Sequence, residues 1–371
     1  MIIVFLYFCS FLLVDGFASA IWNNKKQSHI AKCVISFLLL ISFYAFRGLS
    51  VLNDTSHYFE AQQELIQSGD LYSHSFLYYD ILNRFEPGFQ FFQRFIALYV
   101  WKHPYAIILI SSLIISFSLV YLAQRHTEHI GLAVFLLLHL GGGMGQFTAI
   151  RQSFAVIVFY FIVYLCLHKK HIYAAFLIPV AMLFHKYAFI LAIPVILSYY
   201  QVSFKKIILS AFVAYIAMYY MQGIIEMLGF GESKYVDEEF DHTPIAVIIE
   251  VLQTLLIIYV CWYIRKRYKI EPISNIYVWF LVLSVFCSLF SMSIPIFTRF
   301  QLYFKPYIAL FYIYYLDRTR YKVRSHINFV VVSLLLIQFL VVLIFRNEWS
   351  HMVPYSFFDF SVANPETNFG Y

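Results

Sequence analysis

An all-α, polytopic membrane helical bundle is the fold class the sequence predicts, and three observations predict it. Hydrophobic residues make up 62% of the 371 residues, and charged residues only 12%, where an ordinary soluble domain carries about 25%. Mean hydropathy is +0.74. The charges gather in short gaps between apolar runs long enough to cross a bilayer. A transmembrane β-barrel would instead alternate polarity over segments of roughly ten residues, a pattern not seen in the sequence.

The net charge of +6 fits cytoplasmic loops rather than nucleic-acid binding. Cys9, Cys33, Cys166, Cys261 and Cys287 lie in or beside apolar runs and form no C-x-x-C pair. They read as small packing residues, not as a zinc site or disulfide framework. Aromatic residues reach 21%, which interfacial belts and lipid-facing Phe largely explain.

Residues 2–21 form the first apolar run. Ala18-Ser19-Ala20 resembles a signal-peptidase site, yet no basic region precedes the run, and Lys25, Lys26 and Lys32 follow it. An uncleaved helix with its C-terminal end in the cytoplasm is expected. Residues 30–46 form the second span, ending at Arg47-Gly48-Leu49. The longest polar segment, 50–87, holds Asp54, Glu60, Glu64, Asp70, Asp80 and Glu86 with few basic residues, a balance that favours the outside. A polar helix is predicted over 54–69, with Asn53 or Asp54 as its cap. The apolar run 89–101, from Phe89 to Trp101, is too short to span comfortably and reads as interfacial or re-entrant.

Span 105–123 runs inward, and 130–140 continues into Gly141-Gly142-Gly143-Met144-Gly145. This glycine run lacks the Lys-Ser/Thr ending of a P-loop and predicts a turn or close backbone approach. Span 147–167 runs inward to His168-Lys169-Lys170-His171. The run 172–200 would reach about 45 Å as a helix, more than one span and less than two. His185-Lys186 interrupts it. Keeping the basic segments at 169–170, 205–206 and 265–269 inside, and the acidic loop 231–241 outside, requires this run to enter and leave by one face. A pair of half-helices or a tilted broken helix is therefore predicted, with His185 near the tip. Spans follow at 207–230, 246–263, 276–292, 295–315 and 327–345, and the tail 346–371 lies outside. The total is about ten crossings in a single integral membrane domain over 1–371, with both termini outside.

On this topology Arg47, Asp54, Glu86, Arg151 and Arg299 fall at the outer leaflet, and His185 lies deeper. A full charge near the bilayer centre costs about 2.5–3.5 kcal/mol on insertion scales, so such residues are functional candidates. Arginine suits phosphate because its planar guanidinium bonds in a bidentate fork and stays charged. Arg47, Arg151 and Arg299 are candidate ligands for a lipid-linked diphosphate. Asp54, Glu86 and His185 are candidates for a general base on a hydroxyl. Each has a plainer alternative: Arg47 snorkelling at a helix end, Asp54 capping a helix, Glu86 opening a turn before Pro87-Gly88, His185 filling a structural role. Asp237-Glu238-Glu239 reads as a solvated loop rather than a metal motif.

Several of these residues also form a pattern. Arg47-Gly48-Leu49 is followed by Asn53-Asp54 and Tyr58, then by Phe85-Glu86-Pro87-Gly88-Phe89. Arg151-Gln152 opens a span; Lys169-Lys170, Ala181-Met182-Leu183-Phe184-His185 and Phe297-Thr298-Arg299 with Tyr303-Phe304 follow, and Pro354-Tyr355 lies near the end. In order and spacing the chain resembles the EpsG family, considered Wzy-like exopolysaccharide polymerases. Lys186 departs from the pattern, where small or hydroxyl residues are commoner.

The resemblance implies a membrane glycosyltransferase of the bacterial inner (cytoplasmic) membrane with its active site facing the outside. The implied partners are an undecaprenyl-diphosphate-linked oligosaccharide, membrane lipid and other polysaccharide assembly proteins, with no nucleic acid. No cofactor is implied, neither nucleotide sugar nor metal. A lipid-linked oligosaccharide transporter or flippase, and a membrane acyltransferase using His185, are the alternative readings.

Overall fold

The computed structural model describes residues 1–68, 85–203, 205–207, 209, 216, 220, 244–292, 294, 296–347 and 351–361. In chain order the helices are α1 (Ile2–Ile21), α2 (Lys25–Tyr44), α3 (Thr55–Gln67), α4 (Pro87–Phe95), α5 (Ala106–His126), α6 (Ile130–His139), α7 (Gly143–Thr148), α8 (Ile150–Leu167), α9 (His171–Met182), α10 (Ala192–Leu197), α11 (Pro244–Tyr268), α12 (Asn275–Phe290), α13 (Ile296–Asp317) and α14 (Tyr321–Phe345). A π-helical turn, Ile96–Val100, extends α4, and a 3-10 turn, Lys186–Leu191, leads into α10. No strand occurs among the described residues, and Arg47 pairs with Phe357 in an isolated β-bridge. The protein is a polytopic helical membrane protein.

Six of the described helices are by themselves long and apolar enough to cross a membrane: α1, α2, α5, α8, α11 and α14. The expected span 207–230, the acidic loop 231–241 and the stretch 69–84 lie outside the described residues, a few positions of the span excepted. The predicted crossing 130–140 is only a ten-residue helix, about 15 Å long. Its first turn is recessed in the bundle, where Asp15 of α1 accepts the Gly131 amide at 3.2 Å and the Leu132 amide at 3.1 Å. A carboxylate borrowed from another helix thus satisfies α6 amides that have no partner within the helix.

α6 and α13 form the centre. Nearly every residue of α6 is buried, as is most of α13 from Phe297 to Leu316. By contrast α14 buries mainly Val331, Leu335, Phe339 and Leu343 and leaves Phe329, Val330, Leu334, Ile337 and Val341 exposed. An apolar face without protein cover is what a lipid-contacting helix presents. α14 also begins at Tyr321, so Lys322 and Arg324, expected in a loop, lie in its first turn.

The run 172–200 is broken as predicted. α9 rises for twelve residues, and the chain turns at Leu183–Lys186 before descending through the 3-10 turn and α10. Ser198 at the end of α10 hydrogen-bonds His171 at the start of α9, Oγ to Nδ1 at 3.0 Å, and the Tyr199 and His171 rings lie 4.0 Å apart. The hairpin therefore begins and ends on one side, with His185 at its tip.

After α14 the chain returns to the loop that follows α2. Gly48 donates its amide to the Ser356 carbonyl at 2.7 Å, and Phe358 donates to the Phe46 carbonyl at 2.9 Å. The Tyr355 hydroxyl donates to the Phe43 carbonyl. The Phe358 ring stacks on Tyr105 at 3.9 Å. The approach at Gly48 is close: a Cβ there would lie 2.1 Å from Ser356 Oγ and 3.2 Å from the Ser356 carbonyl oxygen, so Ser356 would have to shift to admit it.

Candidate functional site

Arg151 is the second residue of α8, closer to the helix start than the sequence suggests. The predicted span begins at 147, but the backbone at Ala149 leaves the helical region (φ −88°, ψ 66°), so Phe147 and Thr148 belong to α7. Glu86 occupies the N-cap of α4 but makes no side-chain cap there. Its carboxylate turns away from α4. One oxygen accepts from Arg151 Nη1 at 2.7 Å, and the other accepts the Lys186 backbone amide at 3.1 Å. The two side chains are 24% and 12% exposed, so the pair is mostly shielded.

Aromatic residues fix the arginine further. Its guanidinium carbon lies 4.8 Å from the Phe85 ring centroid, a cation–π contact. Phe85 stacks on Tyr58 at 5.8 Å and meets Phe89 edge-on at 5.3 Å. The Tyr58 hydroxyl oxygen accepts the Arg151 backbone amide at 3.5 Å. Burial pushes the Tyr58 phenol up to about 12, against the pull of the Arg151 charge, so it stays protonated at neutral pH.

The hairpin tip is docked onto the start of α4. Gly88 donates its amide to the Leu183 carbonyl at 2.8 Å, and a Cβ on Gly88 would lie 2.8 Å from both that oxygen and Leu183 Cβ. Phe184 stacks on Phe154 of α8 at 5.4 Å. His185 caps the 3-10 turn, its Nδ1 accepting the Tyr187 amide at 3.2 Å. A backbone amide only donates, so Nδ1 is unprotonated and the neutral ring carries its hydrogen on Nε2. His185 lies near enough to Arg151, Arg299 and Lys186 to feel the charge of each.

Arg299 is in the first turn of α13, and its carbonyl accepts from the Gln152 side-chain amide, which ties α13 to α8 beside Arg151. Asp54 stands at the N-cap of α3 without capping it, and its carboxylate has no hydrogen bond or ion pair among the described residues. Tyr58 follows one helical turn later and feels the Asp54 charge.

Five of the six candidates thus belong to one neighbourhood: Glu86 and Arg151 in contact, His185 and Arg299 close by, and Asp54 joined through Tyr58. Arg47 stands apart from them. It is fully enclosed, with Nε donating to Thr55 Oγ1 at 2.9 Å, Nη1 to Ser112 Oγ at 2.9 Å and to the Tyr44 carbonyl, and Nη2 to the Phe147 carbonyl at 3.1 Å. A guanidinium held by four internal acceptors is a strut joining α2, α3, α5 and α7, not an open ligand for phosphate.

Tyr58, Phe85, Gly88 and the Lys186 amide were not among the candidates. Tyr58 was legible as the residue one turn from Asp54. The Lys186 amide was not, because a backbone donor leaves no mark in residue type; the Lys186 side chain instead lies over the Tyr187 ring at 5.0 Å.

The arrangement offers a braced guanidinium, a second arginine, a neutral histidine and, among the described residues, an unpaired carboxylate. This is a set able to hold a polyanion and take a proton from a hydroxyl. On fold and site together, the protein is a helical membrane protein with a cluster of charged and polar residues where α4, α8, α13 and the hairpin tip meet. The model of the EpsG family matches residues 30–357, and the chain belongs to that family. Membership places it among polysaccharide polymerase-like membrane proteins. No curated protein and no solved structure was found to match the chain.

Proposed function

We propose that the protein polymerises a bacterial surface polysaccharide or exopolysaccharide. It would transfer glycan from an undecaprenyl-diphosphate carrier to a sugar hydroxyl of a second lipid-linked repeat unit, at a site facing the outside of the inner membrane. The acceptor oxygen attacks the anomeric carbon and forms the new glycosidic bond. The bond from that carbon to the phosphate oxygen breaks, and the diphosphate leaves with its electron pair. Arg151 and Arg299 balance the charge that develops on it. His185 donates from Nε2 to a phosphate oxygen.

The hydroxyl proton goes to Asp54. Among the three candidates for the base, Glu86 is engaged by Arg151 and the Lys186 amide, and His185 already carries a hydrogen on the free nitrogen. The observation that carries this reading is the Arg151 guanidinium, braced by Glu86 and Phe85 and close enough to His185, with Arg299, to act on it electrostatically.

The test uses purified full-length protein with undecaprenyl-diphosphate-linked repeat units and no nucleotide sugar. Longer glycan on the lipid is expected with the native chain, and none with Arg151→Ala at matched protein amount. Movement of the lipid-linked unit across a vesicle bilayer without elongation would mark a transporter instead. A requirement for an acyl donor would mark an acyltransferase.

A further inference from the structure

A polar cavity lies away from the Arg151 cluster, where α1 meets α2 and the ends of α5 and α13 converge. Its volume is about 910 Å³. Lys25, Lys26, His29 and Lys32 of α2 line it, and Trp22 forms part of its wall. Glu128 and Asp317 are its acidic groups.

Lys32 is the informative residue. It is only 9% exposed, in a helix apolar enough to cross a membrane. Its ammonium donates to the Glu128 carbonyl at 3.3 Å, and no carboxylate lies within ion-pair distance of it among the described residues. Asp317, a carboxylate of the same cavity, accepts from the Thr127 hydroxyl and lies beyond ion-pair distance of Lys32. A buried ammonium without an ion pair is costly, and among the described residues its three hydrogens find one protein acceptor, the Glu128 carbonyl. The cavity it lines is where the missing anion would sit.

We infer that this cavity binds the phosphate of a membrane-lipid headgroup. Lys32 would reach it from within the bundle, and Lys25 and Lys26 from the first turn of α2. Helix N-terminal amides favour the same charge. Asn24 already caps this turn by accepting from the Lys26 and Gln27 amides, so the lysine ammonium groups rather than the helix end carry the recognition. Trp22 belongs at such a boundary, because its ring is amphipathic and tryptophan concentrates at the headgroup level of bilayers. The inference is independent of the polymerase reading, as none of these residues belongs to the Arg151 cluster.

The test is thermal unfolding of the full-length protein in dodecyl maltoside, a phosphate-free detergent. The added probes are short-chain phosphatidylglycerol, diacylglycerol of the same chain length, and inorganic phosphate. Phosphatidylglycerol is expected to raise Tm by about 2 °C or more beyond diacylglycerol. That excess should fall by at least half in Lys32→Met and in the surface variant Lys25→Gln/Lys26→Gln, which leaves the buried residue intact. An equal rise with inorganic phosphate, lost in the same variants, would assign the site to a soluble phosphate while keeping its chemistry. No excess over diacylglycerol and no rise with phosphate, or shifts unchanged in the variants, would overturn the inference.

Discussion

Glu86 and Arg151, 65 positions apart, meet at 2.7 Å, and the oxygen of Glu86 that Arg151 leaves open is taken by the Lys186 amide. One carboxylate therefore ties the start of α4, the start of α8 and the tip of the broken hairpin. The pair sets the direction of the guanidinium before any substrate arrives, which is the preorganisation that makes an electrostatic site effective.

The strength of this tie can be measured. In a double-mutant cycle of Glu86→Gln and Arg151→Gln, read by reversible unfolding in mixed micelles, the coupling should be about 1–2 kcal/mol. That exceeds the roughly 0.2–1 kcal/mol of exposed pairs because both side chains are mostly shielded. A coupling near zero would mean that the pair does not hold the three segments together.

Asp54→Asn separates chemistry from folding. The Asp54 side chain caps nothing, so unfolding should be unchanged. Loss of the proton acceptor should slow elongation by about 10²–10⁴-fold. The comparison is initial rates of glycan elongation on lipid-linked units, with Tm recorded on the same preparation. A normal rate would remove Asp54 from the role of base.

Arg47 should behave in the opposite way. Arg47→Met leaves the Phe147 carbonyl without its donor inside the bundle, while the Ser112 hydroxyl and the Tyr44 carbonyl keep only their bond to each other, at a cost of about 1–3 kcal/mol. The expected result is less protein in the membrane and a lower Tm. Arg151→Ala should lose polymer at near-normal protein amount. Abundant Arg47→Met protein without activity would return Arg47 to the site.

Gly88→Ala tests the docking of the hairpin tip. The added methyl meets both a side-chain carbon and a backbone oxygen of Leu183 at 2.8 Å, so trimming Leu183 cannot relieve it. A cost of about 1–3 kcal/mol is expected, with shortened polymer, and Leu183→Ala should not rescue either effect. Full rescue would show that the backbone contact is slack.

Much of this was legible in the residues. Apolar run lengths separate spanning helices from short ones, and the 172–200 run announced its break by being too long for one crossing and too short for two. Arg151 and His185 stood out because ionisable groups in apolar sequence need partners. Arg47 stood out for the same reason, but its enclosure was not legible, because two of its acceptors are carbonyls of Tyr44 and Phe147, brought together by tertiary packing. Residue types reveal side-chain chemistry; they do not reveal which backbone groups a turn leaves open.

The strap formed by residues 355–358 has a consequence for assembly order. Phe43 and Tyr355, which it joins, are 312 positions apart. During synthesis α1 and α2 leave the ribosome early, yet the loop that carries Arg47 can be closed only after α14 has emerged. A nascent chain stopped just after α14 would contain every helix described here and still have that loop unsealed. Emergence of residues 355–358 is thus itself a maturation step for this end of the molecule.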